Sequence, residues 1–339
     1  MKIVFGEIKK RCDDLDWEGK YLRENLADHE CVFVDSVVND YKGDLSEYEV
    51  LSTFIHTQVN AGLLDRMPNL KLVATRSTGF DHIDLTECEK RGIKVTNVPS
   101  YGENTVAEYA FALLLTLARQ IYNAYDRTIK SNYSLEGLIG FDLQGKVMGV
   151  VGGGKIGQHT IKIAKGFGMR VLVFDVTKND ELARELGFEY VELDRLYELS
   201  DVISLHVPLI PPTKHMINAE AFAKMKDGVI LLNTSRGGVV NTKALIQALE
   251  SGKLGGAGLD VLEGEEWLAD ELDLVDEEMD IEKIRNALAN HIMMDNPKVI
   301  VTFHNAFNTV EGITRILATT VANIEDYQKG EVVREVKKK

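Results

Sequence analysis

Short apolar runs rich in β-branched residues alternate with polar, helix-like segments along most of this chain. In the first hundred residues the runs are MKIVF, CVFVD, VLSTFI, LKLVATR and IKVTNV. From Lys146 onward they are KVMGVVG, VLVFDV, DVISLHVP, VILLNTS, GAGLDV and VIVTFH. Continuously apolar strands separated by helices are typical of parallel sheets that are covered on both faces. The sequence therefore predicts the α/β class, with two doubly wound parallel-sheet domains.

The domain organisation follows from where this alternation restarts. A chain of 339 residues has room for two domains of ordinary size. The two sets of runs are separated by an apolar segment, Val106–Tyr122, predicted as one buried helix, and by the polar stretch Ser131–Gly140. A last helical segment, Val310–Lys329, is placed to return to the first domain. We expect a discontinuous first domain of residues 1–101 and 305–339, and a second domain of residues 102–304.

Composition excludes several classes of function. The formal net charge of -14 argues against nucleic-acid binding, which calls for a basic surface. The three cysteines, Cys12, Cys31 and Cys88, are odd in number and lack metal-ligand spacing, so we expect free thiols in the cytoplasm and no metal site. No segment has the length and apolarity of a signal peptide core or a membrane span. The acidic stretch Glu265–Glu282 is expected to be a solvated surface.

A glycine-rich loop lies between two predicted strands. Val147–Val151 is followed directly by GGGKIG at Gly152–Gly157, then by an amphipathic segment, Gln158–Phe167, and a strand that ends at Asp175. The G-x-G-x-x-G pattern between a strand and a helix is typical of dinucleotide binding. A carboxylate at the end of the second strand binds the adenosine ribose and repels a 2′-phosphate. The pattern favours NAD over NADP, although Lys178 nearby would weaken that preference.

Each position of the loop has a separate expected role. Gly152 permits the tight turn, Gly154 lets the backbone approach a pyrophosphate, and Gly157 lets the helix pack closely. Lys155 and Ile156 lie at the helix N-terminus, where free N–H groups and the helix dipole attract phosphates.

Polar residues also follow the strands of the second domain. Arg236 follows VILLNTS, Asp260 and Glu265 lie in GLDVLEGE, and His304 ends VIVTFH. Each alone is compatible with an ion pair, a solvated carboxylate or a structural histidine. Together they provide what carbonyl reduction requires: a guanidinium that binds a carboxylate, and an imidazolium, stabilised by a carboxylate, that protonates the carbonyl oxygen.

Motifs throughout the chain carry a specific resemblance. They are RSTGFDHIDL, VPSYGENTVAEYA, the glycine loop, DVISLHVP, LLNTSRGGVVNTKAL, GLDVLEGE and TFHNAF. With them the chain resembles the D-isomer-specific 2-hydroxyacid dehydrogenases over nearly its whole length. The resemblance implies an NAD-dependent enzyme that interconverts a small 2-keto acid and its D-2-hydroxy acid, with a Rossmann NAD-binding domain, a flavodoxin-like substrate domain and an active site in the cleft between them.

The resemblance also assigns residue roles. The implied catalytic set is Arg236, Glu265 and His304, with His304 as proton donor. Residues implied to bind the cofactor, besides the glycine loop and Asp175, are Val207, Pro208, Thr213, Thr234, Ser235, Arg236 and Asp260. Residues implied to bind substrate are Thr78, Gly79, Tyr101 and Arg236.

The resemblance leaves the substrate open. Tyr101 and the DVLEGE run favour the branch of the family that acts on D-lactate, and Glu265 argues against a formate-dehydrogenase-like member. Phe303 departs from the proline that usually precedes the histidine. Reductases of glyoxylate, hydroxypyruvate or other 2-keto acids, and a non-catalytic NAD-sensing protein, are the alternatives. Members are commonly homodimers, and Tyr122 and Tyr125 are candidates for the subunit contact.

Overall fold

The computed structural model of the protein describes residues 1–8, 17–265 and 281–337, with the side chains of residues 281–287 not included. The chain divides into two compact units, Met1–Tyr101 with Asn308–Lys339, and Gly102–Phe307. The chain passes from the first unit to the second after Tyr101 and returns to the first after Phe307. Cys12 and most of the acidic stretch, residues 266–280, lie outside the described residues.

The strands have the following bounds: β1 Lys2–Phe5, β2 Glu30–Phe33, β3 Val50–Thr53, β4 Leu72–Thr75, β5 Lys94–Thr96, β6 Val147–Val151, β7 Arg170–Phe174, β8 Glu189–Tyr190, β9 Val202–Leu205, β10 Val229–Asn233, β11 Leu254–Leu259 and β12 Val299–Val301.

The α-helices have the following bounds: α1 Trp17–Asn25, α2 Ala61–Asp65, α3 Leu85–Lys90, α4 Glu103–Ala118, α5 Ile121–Ile129, α6 Lys155–Gly166, α7 Asp180–Leu186, α8 Leu193–Leu199, α9 Ala219–Lys224, α10 Thr242–Glu250, α11 Ile281–Met294 and α12 Val310–Gln328.

The first unit is a five-stranded parallel sheet in the order β2-β1-β3-β4-β5. Successive residues of β1 face opposite sides of the sheet, as the pleat requires. Ile3 and Phe5 pack with α1 and α12, whereas Val4 packs in the cluster that contains residues of α2 and α3. The order reverses direction between β1 and β3, which makes their carboxyl ends the switch point of this sheet.

The second unit is a seven-stranded sheet in the order β12-β11-β10-β9-β6-β7-β8, with every pair parallel. One face is covered by α4 and α6, and the other by α8, α9 and α10. The order reverses direction at β6, so the glycine loop that follows β6 lies at the switch point. Both units thus have the predicted doubly wound parallel architecture. The short strand β8 was not predicted.

The predicted single helix Val106–Tyr122 is wrong, because the structure has two helices there. α4 ends at Ala118, and Gln120 adopts a left-handed φ of 51° before α5 begins. The Ala118 carbonyl accepts a hydrogen bond from the backbone N–H of Phe141 at 2.9 Å. The neighbouring Gly140 approaches so closely that a Cβ there would lie 2.1 Å from that carbonyl oxygen. The returning chain therefore caps the end of α4 and separates it from α5. No helix of the described residues is long and apolar enough to cross a membrane.

Candidate active site

The turn after β6 depends on close backbone approaches. Gly152 has a φ of 101°, and a Cβ there would lie 2.4 Å from the carbonyl oxygen of His206. A Cβ at Gly157 would lie 2.1 Å from the carbonyl oxygen of Gly152. A side chain at either position would force this turn apart. By contrast, a Cβ at Gly154 would meet nothing within 4 Å, so that position faces open space at the start of α6.

Asp175 follows β7 and is tied to the glycine loop. Its Oδ2 accepts a hydrogen bond from the backbone N–H of Gly153 at 2.7 Å, and its Oδ1 accepts one from the backbone N–H of Thr177 at 2.8 Å. The neighbouring Lys178 forms an ion pair with Glu192, with 3.0 Å between Nζ and Oε1. The loop lysine, Lys155, forms an ion pair with Glu103, with 3.3 Å between Nζ and Oε1. The Asp175 carboxylate is thus held beside the glycine loop. Lys178, the cation that would attract a 2′-phosphate, is paired with Glu192.

His206, which the sequence analysis did not single out, lies behind this loop. Its Nε2 is 2.9 Å from the Ser204 hydroxyl and 3.1 Å from the Thr160 hydroxyl. Its Nδ1 is buried without a hydrogen-bond partner among the described residues. Burial lowers the pKa of His206 from its usual 6.5 to about 4, so the ring is neutral at physiological pH. The sequence feature that could have identified His206 is its position at the end of an apolar strand, directly before Val207.

The segment after β10 carries three predicted site residues. Asn233 organises it, because its side chain donates to the Arg236 carbonyl at 3.0 Å and accepts from the backbone and hydroxyl of Ser235. One guanidinium nitrogen of Arg236 donates to the Ser235 carbonyl at 2.8 Å. The hydroxyl of Thr234 is buried and has no hydrogen-bond partner in the described part of the chain. An unsatisfied buried hydroxyl is costly unless a ligand completes it.

The Arg236 segment packs directly against the segment that carries Glu265. A Cβ at Gly237 would lie 2.1 Å from the backbone carbon of Leu262 and 2.4 Å from the backbone nitrogen of Glu263. Glycine is required at this position, because any side chain would separate the two segments. The sequence motifs predict Arg236 and Glu265 at the ends of strands of one sheet, whereas this backbone contact depends on the tertiary packing.

His304 and Glu265 are in direct contact. His304 Nδ1 lies 2.8 Å from Glu265 Oε1, and each side chain is about three-quarters buried, at 24% and 22% exposure. The other oxygen of Glu265 accepts from the backbone N–H of Leu262 at 2.9 Å. The His304 backbone has a left-handed φ of 46°, and its N–H donates to the Asp260 carbonyl at 2.7 Å. A non-glycine residue held in this conformation is typical of a functional position.

Asp260 holds the loop that carries His304. Its carboxylate accepts hydrogen bonds from the Thr302 hydroxyl at 2.6 Å and from the backbone N–H groups of Asn305 and Ala306, both at 2.9 Å. Burial raises the pKa of Asp260 above 3.8, against the opposing effect of these hydrogen bonds and of His304. Asp260 therefore orients the loop of residues 302–306, a role that the sequence did not reveal.

The remaining predicted residues have simpler surroundings. The Thr213 hydroxyl forms hydrogen bonds within its own loop, to the backbone of Pro208 and Ile210. In the first unit, the Thr78 hydroxyl donates to the Val98 carbonyl at 2.7 Å, and the Tyr101 carbonyl accepts from the Arg315 side chain. Within the described ranges, the His/Cys/Asp/Glu side chains form no group that could hold a metal ion.

The features of the second unit fit a dinucleotide. A glycine turn at the switch point, an open face at Gly154 and a carboxylate after β7 are features of dinucleotide-binding sites, and the unsatisfied Thr234 hydroxyl is open to a ligand contact. The same unit carries the Glu265–His304 pair, which is suited to proton transfer.

Comparisons with known proteins agree with this interpretation. Residues 111–306 match the family model described as "D-isomer specific 2-hydroxyacid dehydrogenase, NAD binding domain". The chain is 42% identical to a 2-hydroxyacid dehydrogenase homolog of Haemophilus influenzae, over 99% of both chains. It is 42% identical to a D-lactate dehydrogenase of Escherichia coli, over 84% of both chains. Among solved structures, it is similar to Aquifex aeolicus D-lactate dehydrogenase complexed with NAD and lactic acid, with a TM-score of 0.85 and 38% identity over 98% of this chain and 97% of that one.

Proposed function

Because the chain belongs to the D-isomer-specific 2-hydroxyacid dehydrogenase family and is an NAD-dependent oxidoreductase of that family, we propose that it reduces pyruvate to D-lactate with NADH. The observation that carries the proposal is the hydrogen bond between His304 and Glu265 in the unit that contains the glycine turn. The relatives named D-lactate dehydrogenase support pyruvate as the keto acid.

The proposed roles in binding follow from the surroundings of each residue. Gly152, Gly154, Lys155, Ile156 and Gly157 are proposed to hold the pyrophosphate, because backbone N–H groups at the start of a helix favour an anion. Other cofactor contacts are proposed for Asp175, Val207, Pro208, Thr213, Thr234, Ser235, Arg236 and Asp260. Thr78, Gly79, Tyr101 and Arg236 are proposed to bind the keto acid, with the planar guanidinium of Arg236 gripping its carboxylate.

The proposed proton transfer uses the two nitrogens of His304. When bound, NADH supplies the hydride that the carbonyl carbon accepts. Nδ1–H of His304 donates to Glu265, which stabilises the imidazolium and leaves Nε2–H to protonate the carbonyl oxygen. The overall reaction consumes pyruvate, NADH and one proton and yields D-lactate and NAD. In the reverse direction, neutral His304 takes the proton of the hydroxyl group.

We also propose that the protein is a homodimer located in the cytoplasm. The exposed side chains of Ile121, Tyr122, Tyr125 and Ile129 form one apolar face of α5, with exposures between 51% and 65%. An exposed apolar face of this kind is typical of a protein contact surface, and we propose that it pairs two copies of the chain. The unbridged thiols of Cys31 and Cys88 support a cytoplasmic location.

A panel of 2-keto acids tests the proposed substrate. We expect the ratio kcat/KM to be highest for pyruvate with NADH, compared with glyoxylate, hydroxypyruvate and bulkier keto acids, and the product to be D-lactate by chiral chromatography. NADPH in place of NADH is expected to lower kcat/KM, because Asp175 would face the added phosphate. Preference for glyoxylate or hydroxypyruvate would assign the chain to another activity of the same family. Binding of NADH without oxidation by any keto acid would favour an NAD-sensing protein.

A further inference from the structure

The carboxylate of Glu7 binds the loop that follows β3. Glu7 lies two residues beyond the end of β1, and its Oε2 accepts hydrogen bonds from the hydroxyls of Thr53 at 2.8 Å and Thr57 at 2.7 Å. The same oxygen accepts from the backbone N–H of Phe54 at 2.9 Å, and Oε1 accepts from that of His56 at 3.0 Å. One side chain therefore fixes the backbone course of residues 53–57.

Arg76 ties the same region to the end of β4. Its guanidinium is buried, at 4% exposure, and donates to the carbonyl of Gly6 at 2.6 Å and to the carbonyl and hydroxyl oxygens of Ser52 at 3.2 and 3.1 Å. Burial alone would raise the pKa of Glu7, but the Thr57 hydrogen bonds and the charge of Arg76 bring it below 4.5. The Glu18 carboxylate also favours the charged form of Arg76. The partly buried Glu7 and the buried Arg76 thus hold the ends of β1, β3 and β4 together.

The backbone at Glu7 is strained. Its φ of 59° is in the left-handed region, which residues other than glycine rarely adopt. The surrounding hydrogen bonds hold this conformation, including the one from the Glu7 N–H to the Ser36 carbonyl at 3.0 Å. Backbone strain that is maintained by surrounding hydrogen bonds is concentrated at functional positions. In this sheet the position is the switch point between β1 and β3, where open α/β sheets bind their ligands.

The loop after β4 lies next to this cluster in the sheet order. Arg76 is two residues before Thr78. The Thr78 hydroxyl donates a hydrogen bond to the Val98 carbonyl, and the Ser77 hydroxyl donates one to the Gly79 carbonyl. In the described part of the chain, the backbone N–H groups of Thr78 and Gly79 donate to no protein acceptor. These two donors are therefore available to an anion, and their direction depends on how the end of β4 is held.

We propose that Glu7 is a positioning residue for keto-acid binding: it fixes the loop of residues 53–57 and, with Arg76, the adjacent Thr78–Gly79 loop that receives the keto-acid carboxylate. This inference rests on the proposed function. Glu7 acts through the backbone and takes no part in hydride or proton transfer. Its loss is therefore expected to weaken keto-acid binding more than turnover or NADH binding, because small displacements of binding groups are costly.

Glu7→Gln tests this role, with Glu49→Gln as the matched control. Glutamine keeps one acceptor oxygen but loses the negative charge. It also places an amide NH₂ group where one carboxylate oxygen of Glu7 accepts hydrogen bonds. Glu49 lies directly before β3, at the opposite end of that strand, and pairs with Lys71 at 2.9 Å. We expect Glu7→Gln to raise the KM for pyruvate about tenfold or more, and to change kcat and the NADH dissociation constant by less than about threefold. The control is expected to leave all three constants unchanged.

Two results would overturn the proposal. One is an unchanged KM in folded Glu7→Gln protein, and the other is a loss of NADH binding and kcat in parallel with KM, which a purely structural role predicts. If Glu7→Gln does not fold, Thr53→Val removes one donor from the cluster and keeps the charge, and the same selective rise in KM is expected, with an unchanged KM again contradicting the role. If the wild-type protein prefers another keto acid, the measurement uses that keto acid, so the failure of pyruvate bears on the proposed function and not on Glu7.

Discussion

The Nδ1 atom of His304 lies 2.8 Å from Oε1 of Glu265, and the other oxygen of the same carboxylate accepts the backbone N–H of Leu262. The carboxylate is thus held from both sides. An acceptor at Nδ1 fixes which ring nitrogen carries a proton, so Nε2 is the atom available to a substrate. This relationship is the basis of the proton-transfer role proposed for His304.

Glu265→Gln is expected to lower kcat for pyruvate reduction on the order of 10²-fold, because an amide oxygen still accepts from Nδ1 but no longer stabilises the imidazolium. NADH binding, measured by fluorescence titration, is expected to stay unchanged. Glu250→Gln, at an exposed carboxylate at the end of α10, is the control. A kcat within about twofold of wild type in Glu265→Gln would show that the charge of Glu265 is not used in catalysis.

Arg236→Lys is expected to lower kcat/KM for pyruvate on the order of 10²-fold, mainly through KM, because an ammonium keeps the charge but lacks the fork that binds a carboxylate at two points. Lys243→Arg, on the exposed surface of α10, is the control for a change between these two cations. Steady-state kinetics at saturating NADH measures the effect. If the KM for pyruvate does not change, the proposed carboxylate-binding role of Arg236 is wrong.

Local patterns predicted the fold and much of the second unit. The strand bounds at Val147–Val151 match the structure, because a fully buried parallel strand is continuously apolar and the glycine turn marks its end. The break between α4 and α5 could not be predicted, because the apolar pattern continues through it. It depends on a tertiary contact, the approach of Gly140 to the Ala118 carbonyl.

The same limit applies to the polar clusters. Glu7 and Thr57 are 50 positions apart in the sequence, and nothing in the residues around Glu7 indicates a carboxylate that binds a distant loop. Asp260 was assigned to the cofactor from resemblance, and its hydrogen bonds to the loop of residues 302–306 appear only in three dimensions. Residue types at strand ends predict which chemistry is possible, whereas hydrogen-bond partners depend on the packing.

His206 is expected to make stability depend on pH. Because burial lowers its pKa from 6.5 to about 4, the unfolded chain binds a proton between these values that the folded chain does not. Stability therefore rises with pH through this window and is complete above about 6.5. From pH 7 to pH 4.5 this residue is expected to cost on the order of 1–3 kcal/mol of unfolding free energy. Urea unfolding across that range is expected to show a smaller loss for His206→Gln, and equal losses in the two proteins would exclude His206 as the cause.

Tyr125→Glu is expected to separate the proposed dimer into monomers, because it places a charge in the apolar face of α5. Lys130→Glu, next to the end of the same helix, is the control and is expected to leave the assembly unchanged. Size-exclusion chromatography with light scattering measures the mass. A wild-type monomer at micromolar concentration, or a Tyr125→Glu dimer, would contradict this use of the surface.

Turnover of His304→Ala with pyruvate and NADH measures the proposed proton transfer from His304 itself. We expect kcat to fall by about 10²–10⁴, the usual contribution of a positioned general acid, with the NADH dissociation constant unchanged because the glycine turn and Asp175 are intact. D-lactate formation at a rate within about threefold of wild type would contradict the account, since the proton would then have to come from a group other than His304.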